Sequence, residues 1–257
     1  MNKKAQRLNQ IVEILRERNG ASLKELAQIL CVSEMTIRRD LEVLANSGII
    51  RLINGVAVYI QHEDFFQNKE YDLESETILH SSAKERIGRA AAALLEPDDV
   101  ILIDTGTTTQ YLAHHLPDNM NLTVLCYNMN ILFELEKHDC GLISAGGYYH
   151  KNTQMFQSQE GIALIERTCI NKAFISTAGV SRKFDVTCIE PYERDTKRAA
   201  IKTALSKILL VDSSKFNKIC PAKFAGLADF DMIITDHGLD NEWIDLIRGI
   251  EIELKIV

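Results

Sequence analysis

The sequence has no apolar run approaching the roughly 20 residues that span a bilayer, and no apolar signal-peptide core follows Met1. Its six cysteines are scattered along the chain without a C-x-x-C pair. This spacing argues against a zinc site or a disulfide framework and is typical of a reducing compartment. We therefore expect a cytoplasmic protein without a membrane segment or a bound metal, in which most cysteines are small core residues.

The signatures of several enzyme classes are missing as well. No P-loop and no G-x-G-x-x-G sequence occurs, so neither nucleotide hydrolysis nor a dinucleotide cofactor is indicated. There is no nucleophile elbow and no cluster of His, Asp and Glu at metal-ligand spacing. Glu190, Glu193 and Asp195 could house a general base, but a solvated acidic loop explains them more simply. We predict no catalytic residue, no metal ligand and no cofactor.

The net charge of −7 is unevenly distributed along the chain. Residues 1–60 carry nine Lys and Arg against six Asp and Glu, whereas residues 61–257 carry twenty against thirty. A head of net charge +3, residues 1–60, therefore precedes a remainder of net charge −10. Affinity for the DNA phosphate backbone would come from the head.

The head is predicted to contain three helices and a β-hairpin. Apolar residues at helical spacing within Lys4–Arg18 predict the first helix, and a capping box at Ser22–Glu25 opens the second. The third begins at Ser33, a good N-cap, and ends at Asn46-Ser-Gly48. Asn54-Gly55 then joins two strand-like runs, which is a strong hairpin signal. Three helices and a hairpin within sixty residues predict a winged helix-turn-helix domain.

The third helix has the pattern of a helix that enters a DNA major groove. Ile37, Leu41 and Leu44 place one apolar stripe on a core, and the opposite face is polar and basic. An ordinary amphipathic helix with a solvated charged face would show the same pattern, but the hairpin and the basic head favour DNA. The predicted DNA-contacting residues are Ser33, Met35, Thr36, Arg38 and Arg39.

Residues 61–82 are polar and charged and predict a partly helical linker, followed by a body, residues 83–257. In the body, apolar runs of strand length alternate with helix-like segments. Continuous apolar strands predict a mainly parallel sheet buried on both faces, and ligands of such α/β domains bind beyond the C-terminal strand ends. The predicted strands are Val100–Asp104, Leu122–Tyr127, Gly141–Ala145, Lys172–Thr177, Ile208–Asp212, Met232–Thr235 and Ile250–Ile256.

Asp104-Thr-Gly-Thr-Thr-Thr109 lies where the first of these strands gives way to a helix. Gly106 lets the backbone turn closely, and the N–H groups at the start of the helix favour an anion. Thr107, Thr108 and Thr109 add hydroxyl donors, so the segment suits a phosphate. A threonine-rich helix cap without a ligand is the alternative.

Three further strand ends carry glycine, histidine or lysine. Gly146-Gly147 permits close backbone approach to a ligand, and His150 could donate to a hydroxyl or phosphate. Gly179 ends the fourth strand in the same way, and Lys215 could add positive charge beside a bound phosphate. A loop-forming glycine pair with a surface histidine, and an exposed loop lysine, are the plainer alternatives. Four strand ends with this chemistry favour one shared pocket.

These motifs, in this order, resemble the DeoR family of bacterial transcriptional repressors over nearly the whole chain. The matching segments are Ser33–Leu41, Asp104–Thr109, Gly146-Gly147, Ala173-Phe174-Ile175, Ala178-Gly179, Asp212–Phe216 and Thr235-Asp236. The resemblance implies a body similar to ribose-5-phosphate isomerase and a phosphorylated sugar as effector. It also implies that Asp104–Thr109 and Lys215 hold the phosphate and hydroxyls of that sugar.

Two departures from the family's usual sequence bear on the turn and the ligand. The family usually has Gly where this chain has Cys31; in a left-handed conformation a non-Gly residue costs on the order of 1 kcal/mol, and we expect a slight shift of the turn. Where the family often has Thr-Asn, this chain has Cys126-Tyr127, followed by Asn128. Because Cys and Tyr suit a sugar that lacks a hydroxyl, we expect Tyr127 and Asn128 to line a site for deoxyribose 5-phosphate or a close pentose phosphate.

The leading hypothesis is a repressor of a carbohydrate or nucleoside catabolic operon, released from double-stranded operator DNA by a phosphorylated sugar. It would act as a homo-oligomer, a dimer or higher, since one recognition helix offers few base contacts. The alternative is a sugar-phosphate isomerase-like enzyme with a DNA-binding head. Against it, Thr177-Ala178-Gly179 lacks the acidic pair that the isomerases carry in that region.

Overall fold

The structure, a computed structural model, describes residues 3–18, 21–46, 49–53, 56–59 and 73–257. The chain divides into two compact units, Met1–Ser81 and Ser82–Val257. None of the helices in the described residues is long and apolar enough to cross a membrane.

The first unit is a winged helix-turn-helix, as predicted. Its elements are α1 (Lys3–Arg18), β1 (Ala21–Ser22), α2 (Leu23–Ile29), α3 (Glu34–Asn46), β2 (Ile50–Ile53), β3 (Val56–Tyr59) and α4 (Leu73–Ile78). The strands pair antiparallel in the order β1–β3–β2, so the wing includes a short strand that the sequence pattern missed. The Ser22 hydroxyl accepts from the amide of Glu25 at 3.3 Å, and the Glu25 carboxylate accepts from the amide of Ser22 at 2.7 Å. The predicted capping box is therefore confirmed.

A partly buried ion pair joins α1 and α3 in the first unit. Ile37, Leu41 and Leu44 of α3 are buried among the apolar residues of α1 and α2. Asp40 is buried with them, and Arg7 donates to both of its carboxylate oxygens, from Nε at 2.5 Å and from Nη2 at 3.3 Å. Because a bidentate pair has a defined geometry, it fixes the rotation of α3 against α1 and keeps the opposite face of α3 in solvent.

The turn between α2 and α3 contains a left-handed residue. Cys31 has a φ of +52° and an exposed side chain. The amide of Val32 donates to the carbonyl of Ala27 at 3.1 Å, which closes the end of α2. A non-glycine residue therefore occupies the left-handed position in this turn, which is the case in which we expected a cost on the order of 1 kcal/mol.

The end of the predicted linker is structured. Leu73 at the start of α4 is buried. Leu79, just after that helix, is also buried and belongs to the apolar core of the first unit. Residues 60–72 of the predicted linker lie outside the described residues, as do the turn residues Asn19-Gly20, Ser47-Gly48 and Asn54-Gly55.

The second unit is built on a seven-stranded parallel sheet, and all seven predicted strands are in it. The sheet strands are β4 (Val100–Ile103), β5 (Thr123–Cys126), β6 (Gly141–Ser144), β9 (Lys172–Ser176), β12 (Ser206–Leu210), β14 (Met232–Thr235) and β15 (Glu253–Ile256). The helices are α5 (Ser81–Ala92), α6 (Thr107–His114), α7 (Met129–Leu135), α8 (Gln159–Glu166), α9 (Glu193–Thr203) and α10 (Asn241–Gly249). The α/β class with a mainly parallel sheet is confirmed.

The strand order is β15–β14–β12–β9–β4–β5–β6. The first strand of the sheet in the sequence, β4, therefore lies inside it, with β5 and β6 on one side and the later strands on the other. From β4 the chain adds β5 and β6 on one side and then returns to add β9 and the later strands on the other side, so the order of the strands reverses between β4 and β9. This switch point is where doubly wound sheets leave a crevice at the C-terminal strand ends.

Both faces of the central strands of this sheet are buried, as the continuous apolar runs predict. Along β4, Leu102 belongs to one apolar cluster, while Ile101 and Ile103 belong to the cluster on the other face. Trp243 of α10 is 1% exposed in the first of these clusters, so it is a core residue. The expectation for cysteines holds only in part: Cys126, Cys188 and Cys220 are buried, Cys140 is half-buried, and Cys31 and Cys169 are exposed.

Two short antiparallel features were missed by the sequence pattern. A hairpin of β7 (Tyr148–His150) and β8 (Met155–Gln157) lies beyond the end of β5, where the amide of Phe156 donates to the carbonyl of Tyr127 at 2.7 Å. A three-stranded sheet joins β10 (Gly179–Ser181), β11 (Asp185–Cys188) and β13 (Ala222–Ala225). Both features lie next to the strand ends that carry the candidate site.

We predict that Cys31→Gly stabilises the first unit by about 1 kcal/mol, because glycine adopts a positive φ without steric cost. Hydrogen exchange of the α3 amides in the full-length chain should slow about fivefold. Cys31→Ala serves as the control, since it removes the thiol and keeps the strain. Equal exchange rates in the glycine and alanine variants would contradict the prediction.

Candidate functional site

The outward face of α3 carries the predicted DNA-contacting residues. Met35 is 57% exposed, and Arg38 and Arg39 are exposed as well. The Ser33 hydroxyl accepts from the amide of Thr36 at 3.3 Å and lies 2.9 Å from the Thr36 hydroxyl, so Ser33 is engaged as the N-cap. The two arginines are therefore the groups best placed for base edges and phosphates.

Asp104 is the centre of a buried polar cluster at the switch point. Its carboxylate is fully buried at the end of β4 and accepts four hydrogen bonds. The Tyr127 hydroxyl donates to Oδ1, and the Lys197 Nζ donates to Oδ2 at 2.5 Å. The amide and hydroxyl of Ser176 donate to Oδ2 at 2.8 and 3.3 Å. Asp104 thus connects β5, β9 and α9, and its oxygens are already occupied.

The sequence pattern missed Lys197, the cation of this cluster. Its Nζ also donates to the Ser176 carbonyl at 3.2 Å and lies 5.2 Å from the ring centre of Phe224. Burial lowers the pKa of Lys197, but the charges of Asp104 and Glu193 outweigh this and raise it above its usual range. Lys197 is therefore a charged group held inside the protein by carboxylates. Only its four-residue spacing from Glu193 on a helix could have drawn attention to it.

Glu193 is buried at the start of α9 and not part of a solvated loop, so the simpler explanation of this residue was wrong. Its carboxylate lies 3.6 Å from Lys197 Nζ and accepts from the amide of Glu190 at 3.2 Å. Burial raises the pKa of Glu193 to about 7, with Lys197 opposing and Asp104 adding to the shift. Glu193 therefore changes its charge near neutral pH.

The start of α6 presents backbone amides without a side-chain cap. Gly106 is the N-cap residue, and no side chain within the described residues caps this helix. Gly106 has a φ of +152°, and a Cβ there would lie 2.8 Å from the Cβ of Ser176, so the close approach of β9 requires glycine. The three following threonines are buried, and the Thr109 hydroxyl donates to the Gly106 carbonyl at 3.0 Å. The N–H groups of Thr107 and Thr108 are available to an anion.

Asn128 and His150 bring two buried polar atoms without partners to the same end of the sheet. The Asn128 side-chain amide donates to the Thr105 hydroxyl and to the Thr153 carbonyl, but its Oδ1 has no partner among the described residues. The His150 ring stacks on Tyr192 with centroids 3.6 Å apart, and its buried Nε2 likewise has none. Burial lowers the pKa of His150, with the charge of Glu190 opposing, so the ring is neutral near pH 7.

The three remaining candidate glycines have different surroundings. Gly146 has a φ of +57°, and a Cβ there would meet open space. Gly147 has a φ of +124°, and a Cβ there would lie 2.5 Å from the Gln157 carbonyl. A Cβ at Gly179 would lie 2.7 Å from the Lys218 carbonyl. Gly147 and Gly179 are therefore needed by the protein's own backbone, and only Gly146 borders space that a ligand could occupy.

Lys215 lies in a single 3-10 turn, Ser213–Lys215, after β12, the strand next to β9. Because the strands are parallel, this turn lies at the C-terminal end of the sheet, as Asp104 does. Burial raises the pKa of the Cys220 thiol, while the charge of Lys215 lowers it and that of Glu193 raises it. The charges of Lys215 and Glu193 thus act in opposite directions on the pKa of the same thiol.

Two family models match this chain in the order of its two units. A DeoR-like helix-turn-helix domain matches residues 7–63, and a DeoR C-terminal sensor domain matches residues 79–237. The chain belongs to the DeoR family. This DeoR-family protein is a DNA-binding transcriptional regulator with a sensor domain and not an enzyme.

Curated relatives match the DeoR-family protein over nearly its whole length. The deoxyribose operon repressor of Escherichia coli (strain K12) is 30% identical over 253 residues, which cover 98% of each chain. The HTH-type transcriptional regulator IolR of Bacillus subtilis (strain 168) is 29% identical and covers 93% of this chain and 94% of the relative. The regulator GolR of Listeria innocua is 29% identical and covers 98% of each.

Solved structures resemble part of the DeoR-family protein. A D-ribose-5-phosphate isomerase in complex with phospho-erythronic acid is 16% identical, with a TM-score of 0.39, over 53% of this chain and 54% of the other. A probable sor operon regulator from Shigella flexneri is 12% identical, with a TM-score of 0.40, over 62% and 86%. Both TM-scores lie below 0.5, so the fold is established by the strand order given above.

We predict that Glu193 makes the second unit less stable as pH rises from about 5 to about 8. The folded-state pKa of about 7 exceeds the ordinary value of 4.5, so between these values the folded protein binds more protons than the unfolded chain. The unfolding free energy therefore falls through this window, and Glu193→Gln should flatten that fall by roughly 2–3 kcal/mol.

The measurement is urea unfolding followed by the fluorescence of Trp243, the single tryptophan, which reports on the second unit alone. Glu160→Gln is the matched control, because Glu160 is an exposed glutamate in the first turn of α8. Parallel pH profiles for the wild type and Glu193→Gln would contradict the prediction.

Proposed function

We propose that this repressor is released from its operator by deoxyribose 5-phosphate, or a close pentose phosphate, bound at the switch point of the second unit. The observation that carries the proposal is the uncapped start of α6 together with two buried polar atoms, Asn128 Oδ1 and His150 Nε2, that have no partner in the described residues. A burial of this kind costs free energy unless a ligand or water completes the hydrogen bonds. A phosphorylated sugar offers an anion for the helix and hydroxyls for the side chains.

The phosphate would bind to the amides and hydroxyls of Thr107 and Thr108. A helix N-terminus carries a partial positive charge, and Gly106 brings the backbone close without a side chain in the way. Lys215 supplies the neighbouring cation in this proposal, and its position after β12, at the same C-terminal end of the sheet, supports that role.

The sugar would meet Asn128 and His150. Asn128 Oδ1 would accept a hydrogen bond from a sugar hydroxyl, and Nε2 of the neutral His150 ring would donate or accept another. Asp104 and the Tyr127 hydroxyl are engaged with one another and with β9, so we assign them to holding the site in shape. The wall formed by buried Tyr127 suits the missing hydroxyl of a deoxy sugar, and the name of the Escherichia coli relative agrees with this choice.

The proposed site combines the residues expected from the sequence with two from α9. We assign to the effector site Asp104, Gly106, Thr107, Thr108, Thr109, Tyr127, Asn128, Gly146, Gly147, His150, Gly179 and Lys215, with Glu193 and Lys197 added. Gly147 and Gly179 contribute through backbone packing.

In the same proposal, residues 1–60 bind operator DNA in the cytoplasm through Met35, Thr36, Arg38 and Arg39, with Ser33 as helix cap. Residues 61–82 connect them to the sensor body, residues 83–257. Two or more copies act together, because one recognition helix makes few base contacts. An effector releases the DNA only if it binds one arrangement of the copies better than the other.

We predict that Arg39→Ala lowers affinity for the operator at least about tenfold, because a well-placed arginine contributes roughly 1–3 kcal/mol to base recognition. The measurement is fluorescence anisotropy with DNA from upstream of the chain's own operon. Arg167→Ala, the loss of an exposed arginine on the second unit, should leave affinity unchanged. If Arg39→Ala keeps affinity within a few-fold, α3 is not the recognition helix.

We predict that titration calorimetry ranks deoxyribose 5-phosphate above ribose 5-phosphate, hexose phosphates, inorganic phosphate and free deoxyribose. The two last compounds separate the contributions of phosphate and sugar. Lys215→Ala should lower the affinity for the preferred effector about tenfold or more, without changing the affinity of the effector-free protein for DNA. Lys202→Ala, an exposed lysine late in α9, is the matched control. Tighter binding of a hexose phosphate would exclude the pentose assignment, and an unchanged Lys215→Ala variant would remove this lysine from the site.

A further inference from the structure

The strand β6 forms one edge of the seven-stranded sheet and is unusually exposed. No strand in the described parts of the chain pairs with its outer side. Gly141, Leu142 and Ser144 are exposed, and Leu142 is 43% exposed. An edge of this kind offers a row of backbone N–H and C=O groups to another strand.

The two edges of the sheet differ in how they are protected. β15, at the opposite edge, carries Glu253 and Lys255 among its four residues. Charged side chains on an edge strand discourage pairing with another chain. β6 has the sequence Gly-Leu-Ile-Ser and carries no charge. The unprotected edge is therefore β6.

Large apolar side chains are exposed on both sides of β6 in the chain. The described residues of the second unit expose eight large apolar side chains: Phe133, Leu142, Tyr148, Tyr149, Phe184, Leu205, Ile219 and Ile250. Half of them lie within residues 133–149, from α7 through β6 to β7. Aromatic residues are enriched where protein surfaces associate, so this concentration indicates an interface.

We propose that two copies of this chain join through their β6 strands, antiparallel, to form one continuous fourteen-stranded sheet. This inference rests on the proposal that two copies act together, and it assigns the surface. A second copy is the partner that fits, because a strand edge paired antiparallel about a two-fold axis is complementary to itself.

The backbone determines the register of this pairing. The amides of Gly141 and Ala145 donate to Leu122 and Cys126, at 2.8 and 3.0 Å, and so point toward β5. Residues alternate along a strand, so Leu142 and Ser144 direct their N–H and C=O groups outward. A two-fold axis at Ile143 places Leu142 opposite Ser144 of the second copy. Both pairs then exchange two hydrogen bonds, four in total.

The test is sedimentation of the full-length protein. The wild type should have at least twice the 29.0 kDa mass of one chain. Leu142→Lys and Ser144→Pro should each halve the mass at a concentration where the wild type is associated. Each should also raise the dissociation constant of the associated form at least about tenfold. Leu205→Lys, which changes a 78% exposed leucine elsewhere, should keep the wild-type mass. Unfolding followed by Trp243 fluorescence verifies that each variant is folded.

A cross-link tests the register independently. With the axis at Ile143, Ile143→Cys places two thiols opposite one another, with Cβ atoms about 4.5–5.5 Å apart. Mild oxidation should then give a larger yield of disulfide-linked dimer than it gives with the wild type or with Leu205→Cys, in which the exposed Cys31 and Cys169 are also present.

The outcomes separate the two proposals. An associated wild type whose β6 variants keep the same mass and do not cross-link would overturn the β6 interface and leave the proposal that copies act together intact. A wild type that is monomeric at all concentrations would overturn both.

Discussion

The buried ion pair between Asp104 and Lys197 is the interaction on which the sensor unit depends. Both side chains are at most 1% exposed, and the two residues are 93 positions apart in the chain. Burying two charges is favourable only when the geometry is good and the remaining hydrogen bonds are made, and here Tyr127 and Ser176 complete them. Removing one partner alone would leave an uncompensated charge, at a cost of roughly 3–5 kcal/mol. The pair therefore fixes α9 against the ends of β4 and β9, where the proposed effector binds.

Glu193 makes this arrangement adjustable. It lies one helical turn before Lys197, and its charge changes near neutral pH. A neutral Glu193 leaves Lys197 to Asp104 alone, whereas a charged one competes for the same cation. The start of α9 also carries Tyr192, which stacks on His150 of β7. One short segment thus connects the buried charges, the β7–β8 hairpin and His150, whose Nε2 has no hydrogen-bond partner in the described part of the chain. An effector that satisfies His150 changes the surroundings of the same segment.

The sequence predicted the fold well because long-range regularities carry it. The seven sheet strands and the amphipathic helices repeat over many residues, and the capping box at Ser22 has a signature of its own. The β7–β8 hairpin and the small antiparallel sheet were missed because three or four residues give no readable period. In the site, the strand-end motifs were visible, but the contacts that give them meaning were not. The oxygens of Asp104 are occupied, Gly179 faces the backbone of Lys218, and Lys197 reaches the site from a helix on which its spacing from Glu193 is a weak local signal.

The position of β4 inside the sheet has a consequence for synthesis on the ribosome. Of the sheet strands, β4 is synthesised first, yet one of its two neighbours is β9, about 70 residues later. Lys197, which forms the ion pair with Asp104 at the end of β4, is synthesised later still. Contacts in the first unit are more local, and N-terminal domains generally fold first during translation. The DNA-binding unit can therefore fold while the sensor is still incomplete. In a nascent chain the recognition helix would therefore be formed before the proposed effector site is complete.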